Sequence, residues 1–149
     1  MSPLILIVDP DPKARSVMED ALQRRFGQDY RILTAGSAEG ALQTLRQLAS
    51  EREDVAIVGA ELHLDDVDGV DFLERAQALH PRTMRALLLS MDERGTRIPF
   101  GALPAVQRAT ALGRIDLTVL KGWVTPEEWL YPWLYPAIQT ALKIGRAHV

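Results

Sequence analysis

The chain alternates short continuous apolar runs with longer segments whose apolar residues recur every three or four positions. Leu4-Ile5-Leu6-Ile7-Val8 is apolar throughout, as expected of a parallel strand covered on both faces. Pro10, Asp11 and Pro12 break it. From Lys13 to Phe26, residues Ala14, Val17, Met18, Ala21, Leu22 and Phe26 fall at helical spacing, and Gly27 is placed to end that helix. A second strand is expected over Tyr30–Thr34. Ser37 followed by Glu39 then opens a helix with Ala38, Ala41, Leu42, Leu45 and Leu48 on one face. Asp54–Ala60 holds a third strand. A loop rich in acids runs from Glu61 to Gly69, before a helix from about Val70 to Leu79 that His80-Pro81 stops. Met84–Leu89 is a fourth strand, ended by Ser90. A helix over about Pro104–Leu112 and a fifth strand over Ile115–Leu120 follow. Thr125-Pro126-Glu127-Glu128 has the residues of a helix start.

Repeated strand–helix units predict an α/β fold. The expected form is a doubly wound, five-stranded parallel sheet with helices on both faces. In such sheets functional groups gather at the carboxyl ends of the strands. Those positions hold Asp9, Glu61, Ser90 and Lys121.

Composition narrows the chemistry. The 149 residues include no cysteine, which excludes a disulfide scaffold, a thiol nucleophile and an iron–sulfur cluster in this span. Three histidines give little material for a zinc site. The net charge is −3, and no basic stripe or helix-turn-helix marks a nucleic-acid surface. No segment is long and apolar enough to span a membrane, so a cytoplasmic protein is expected. No phosphate-cradling glycine motif is present. No nucleophile–base pair stands out either, so no enzymatic activity is expected. His63 and His80 receive no catalytic role. The acidic run Asp65-Asp66-Val67-Asp68 lacks the glycine and bidentate glutamate of a calcium loop and is expected to be a solvated turn.

An acid, an acid, a hydroxyl and a lysine at successive strand ends resemble the receiver domain of two-component response regulators. The likeness covers about Leu4 to Leu142, and is best over Asp54–Leu73, where Val67-Asp68-Gly69-Val70-Asp71-Phe72-Leu73 is similar to the stretch after that family's phosphoacceptor. The resemblance implies a flavodoxin-like sheet of order 2-1-3-4-5. It places the phosphoacceptor position at Glu61 and the acid pair at Asp9 and Pro10. The phosphoryl-contacting hydroxyl and lysine become Ser90 and Lys121. The usual proline after the lysine is Gly122, and the usual switch aromatic is Thr118.

These departures predict a phosphorylation switch that is impaired or constitutive. Glu61 carries its carboxylate one methylene further out, and a misplacement of roughly 1 Å can cost about 100-fold in rate. Pro10 removes an oxygen ligand from a Mg²⁺ site that uses few carboxylates. Asp11 is the available substitute, so at most a weakened Mg²⁺ site on Asp9, Asp11 and Glu61 is expected. An ion pair of Glu61 with Lys121 would mimic the phosphorylated arrangement. The alternatives are an active receiver with Mg²⁺ on Asp9 and Asp11, and a flavodoxin-like small-molecule binder.

Five of nine aromatics lie between Trp123 and Tyr135: Trp123, Trp129, Tyr131, Trp133 and Tyr135. Trp and Tyr are common interface anchors, so a docking surface for a protein partner is expected here. That partner would be an effector domain, a histidine kinase or a second copy. The segment Lys121–Leu134 also resembles a receiver subfamily found amino-terminal to effectors, among them a flavin-dependent disulfide reductase. Residues 1–143 are expected to form the receiver-like domain. Ile144-Gly145-Arg146-Ala147-His148-Val149 matches one reading frame of a common short-read sequencing adapter. Residues 144–149 are therefore expected to be a non-native tail, and the native chain longer.

Overall fold

The computed structural model describes residues 2–90 and 102–121. Its elements are β1 (Leu4–Val8), α1 (Pro12–Phe26), β2 (Arg31–Ala35), α2 (Ala38–Ser50), β3 (Val55–Glu61), α3 (Gly69–Leu79), β4 (Met84–Ser90), α4 (Ala102–Ala111) and β5 (Leu117–Lys121). The strands form a five-stranded sheet in the order β2-β1-β3-β4-β5, with every pairing parallel. This is the doubly wound arrangement that the alternating pattern predicts. Strand order reverses between β1 and β3, and the crevice of such a sheet lies there, outside the carboxyl ends.

Period-two alternation along β1 splits the core into two layers. Leu4, Leu6 and Val8 join Val58 and Ala60 of β3 under α2, α3 and α4, against Leu42, Leu45, Phe72, Leu73, Val106 and Ala109. Ile5 and Ile7 join Ile57, Leu88 and Val119 on the opposite face, against Met18, Leu22 and Phe26 of α1. All five β1 residues are buried, which explains why that run shows no polar alternation.

Several boundaries differ from expectation, each for a local reason. Strand β2 starts at Arg31 because the Tyr30 amide closes the end of α1 on the Phe26 carbonyl, at 2.9 Å. Helix α4 begins two residues ahead of Pro104, since a proline in a first turn forfeits no intrahelical bond. Strand β5 starts at Leu117 because the Asp116 amide and carboxylate are both bonded to the backbone of Arg85. Strand β3 runs through Glu61, so this residue ends a strand and is not in the loop. The helix start expected at Thr125–Glu128 lies outside the described residues.

Candidate functional site

Strand register assembles the predicted site. Val8 pairs with Ala60, so Asp9 and Glu61 continue adjacent strands at the carboxyl edge. Glu61 pairs with Leu88, and Ser90 pairs with Lys121 at the matching ends of β4 and β5. The four positions expected from the sequence therefore share one edge. Asp9 is 2% exposed and Glu61 7%. Glu61 is thus a buried strand-end acid and not a solvated one.

The β1–α1 loop is organised by its own hydrogen bonds. The Asp9 amide donates to the Ala35 carbonyl at 3.0 Å, and Asp9 Oδ1 accepts from the Asp11 amide at 2.9 Å. Asp11 is the N-cap of α1: its Oδ1 accepts from the Lys13 amide at 3.0 Å. Pro12 follows as the first helical residue, where its missing N–H costs nothing. From α1, Arg15 Nη1 donates to the Asp9 carbonyl at 2.9 Å and reaches the Pro10 carbonyl at 3.4 Å. The same guanidinium lies over Gly36, where an added Cβ would come within 2.6 Å of Nη1. Sequence reasoning missed Arg15. Its one signal was a cation six residues after Asp9.

Asp11 has a structural role in this arrangement. The Asp11 carboxylate caps a helix. Among the described residues, no group of three or more His, Asp or Glu side chains is positioned to hold a metal ion. Asp9, Asp11 and Glu61 do not form such a group in this structure.

The loop after Glu61 turns back tightly on it. The Gly69 amide donates to the Leu62 carbonyl at 2.7 Å, and a Cβ on Gly69 would sit 2.1 Å from the Glu61 carbonyl oxygen. Only a residue without a side chain permits this approach of two backbones. Asp68 caps α3 by accepting from the Val70 amide at 2.7 Å, and pairs across the loop with His63.

The acidic run is therefore more than a solvated turn. Asp66 reaches across to the start of α2 and accepts from the Ala38 amide at 3.1 Å and the Glu39 amide at 2.9 Å. The Glu39 amide bond is the chief reason the Asp66 carboxyl titrates below its ordinary value; slight desolvation opposes it. A depressed carboxyl stabilises the fold above its unfolded pKa, and that contribution is lost as pH falls through the folded value. His80 is also structural. It is buried at the end of α3, and its Nε2 bonds the Leu45 carbonyl of α2 at 2.9 Å. Thr118, at the switch-aromatic position, is an exposed residue of β5. The aromatic residues Trp123, Trp129, Tyr131, Trp133 and Tyr135 lie outside the described residues, as does the 144–149 tail.

No protein-family model matches the sequence, and no curated protein does. Solved structures do. The signal receiver domain of an HD domain-containing protein from Pseudomonas fluorescens Pf-5 is 26% identical, with 99% of this chain and 91% of that one covered at a TM-score of 0.66. A response regulator receiver domain protein from Clostridium thermocellum is 18% identical, with 99% of each chain covered at a TM-score of 0.72. An uncharacterized protein from Neptuniibacter caesariensis is 20% identical, with 94% and 90% covered at a TM-score of 0.74. The chain has the fold of the response regulator receiver domain, with the strand order 2-1-3-4-5. Among the described residues no helix is long and apolar enough to cross a membrane.

Proposed function

We propose that this is a receiver-like signalling domain of the two-component type whose phosphorylation switch is impaired or fixed in one state, and which acts as a cytoplasmic, non-enzymatic protein-interaction module. The carrying observation is the pair of substitutions at the crevice. A buried glutamate, Glu61, ends β3, and Pro10 follows Asp9 while the next acid, Asp11, is engaged as a helix cap. A receiver needs a carboxylate placed for in-line attack and oxygen ligands for Mg²⁺. The longer side chain of Glu61 supports loss of the first, and the Pro10–Asp11 arrangement supports loss of the second. Thr118 supports loss of the readout, because it offers no ring to change position. The partner, an effector domain, a kinase or a second copy, would meet the aromatic segment 123–135.

The test is phosphoryl transfer. The protein is incubated with radiolabelled acetyl phosphate and Mg²⁺, beside Glu61→Gln. No label above that control is expected. Label that Glu61→Gln abolishes would overturn the reading in favour of an active receiver. Pro10→Asp combined with Glu61→Asp is expected to gain binding of Mg²⁺ and beryllofluoride. Failure of that gain would show that Glu61 does not occupy the phosphoacceptor position.

A further inference from the structure

The start of α2 is fastened from two directions. Ser37 caps it locally, accepting from the Gly40 amide at 3.0 Å. The two preceding amides, of Ala38 and Glu39, donate instead to the two oxygens of Asp66, from the loop between β3 and α3. An anion bridging successive amides at a helix start gains from both charge-assisted bonds and the helix dipole. The β2–α2 junction is itself anchored, through the Ala35 carbonyl bonded to Asp9 and Gly36 packed under Arg15. The loop that leaves Glu61 is thereby tied to the same junction that holds the Asp9 loop.

We propose that Asp66 is a latch: its bonds to Ala38 and Glu39 make the β3–α3 loop and the first turn of α2 open as one unit. An ordinary cap would secure the helix and leave the loop independent. A latch transmits opening in both directions, so a partner that loosens α2 would release the chain beside Glu61. The latch holds whether or not Glu61 accepts a phosphoryl group.

Native-state amide hydrogen exchange on the full chain tests it, with the Ile57 amide as the reference for global opening. Helix-cap removal typically costs about 0.5–2 kcal/mol, which converts to roughly 2- to 30-fold in exchange. Asp66→Ala is expected to speed exchange by this factor at Ala38 and Glu39. It is also expected to do so at Gly69 and Val70, whose amides donate within the loop and not to Asp66. Asp66→Asn, which keeps one acceptor oxygen, is expected to restore part of the protection at both places. Ser37→Ala is expected to affect Gly40 without Gly69 or Val70. If Asp66→Ala moves Ala38 and Glu39 alone, Asp66 is a plain cap and the latch is refuted. If all four amides change only in step with Ile57, there is no local coupling and the latch is refuted as well. Neither result bears on phosphodonor labelling, so the two proposals fail separately.

Discussion

The two ends of the sheet bury charge of opposite sign. At the carboxyl end, Asp9 and Glu61 continue neighbouring strands, two acids of the same sign. At the amino end of β4, Arg85 is 4% exposed and surrounded by acceptors. Its Nε bonds Asp116 Oδ2 at 3.1 Å, its Nη1 the Arg114 carbonyl at 2.6 Å and its Nη2 the Gly113 carbonyl at 2.8 Å. The Asp116 carboxylate also accepts from the Arg85 amide at 2.8 Å. A guanidinium with its planar fork filled this way is a closed structural unit. The amino end therefore holds the α4–β5 connection in place, and the carboxyl end keeps two buried acids on neighbouring strands.

The largest expected effect comes from breaking the closed end. Arg85→Ala leaves two carbonyls without their donor, takes the guanidinium from an Asp116 carboxylate that keeps the residue-85 amide, and removes the packed stem. A fall of about 3 kcal/mol is expected, below the top of the range for a broken buried pair. The discount follows from Asp116, whose side chain is 32% exposed and can recover water. Thermal unfolding would show it as a drop in Tm of roughly 6–12 °C. A drop under 2 °C would mean that the Arg85 cluster does not hold this end together.

The carboxyl end is expected to fail through its backbone before its charges. Gly69→Ala places a methyl group on the Glu61 carbonyl, forcing the loop outward and stretching the Gly69–Leu62 bond. Overpacking of this kind costs about 2 kcal/mol. The change should move the amide resonances of Glu61 and Leu62 while leaving those around Arg85 in place. Disturbance of Arg85 resonances as well would show that the two ends are coupled rather than separate.

How much of this was legible in the sequence follows from the same contrast. The strands were readable because residues such as Leu4–Val8 are buried on both faces and need no partner to identify them. Asp9, Glu61, Ser90 and Lys121 were found by their place at strand ends, which the topology then brought to one edge. The role of Asp66 was not readable. Its partners, Ala38 and Glu39, lie 28 and 27 residues earlier, and no local pattern encodes a cap supplied by another element. Asp11 was ambiguous for the converse reason. Its local bond to Lys13 N–H competes with any metal role, and helix-start residues carry that ambiguity whenever an acid precedes a proline. Arg85 was invisible because an arginine inside the strand Met84–Ser90 suggests an exposed edge, and its acceptors come from a turn some thirty residues away.

The smallest expected effect sharpens the contrast from the outside. Arg114 belongs to the same α4–β5 turn as the carbonyls that Arg85 binds, and its own guanidinium bridges Asp71 and Glu74 of α3. Those bonds raise its pKa, the Glu74 contact foremost. Yet all three side chains are substantially solvent-exposed, at 34%, 55% and 56%, and salt screens such networks. What the turn needs from residue 114 is its carbonyl, and Arg114→Ala keeps that. Its change in Tm is expected to be much smaller than that of Arg85→Ala and to shrink further in high salt, whereas the Arg85→Ala loss is expected to persist there. Melting both variants at low and high NaCl reads the difference directly. Equal losses, both erased by salt, would mean that the amino end is held by surface charge and that its burial of Arg85 is incidental.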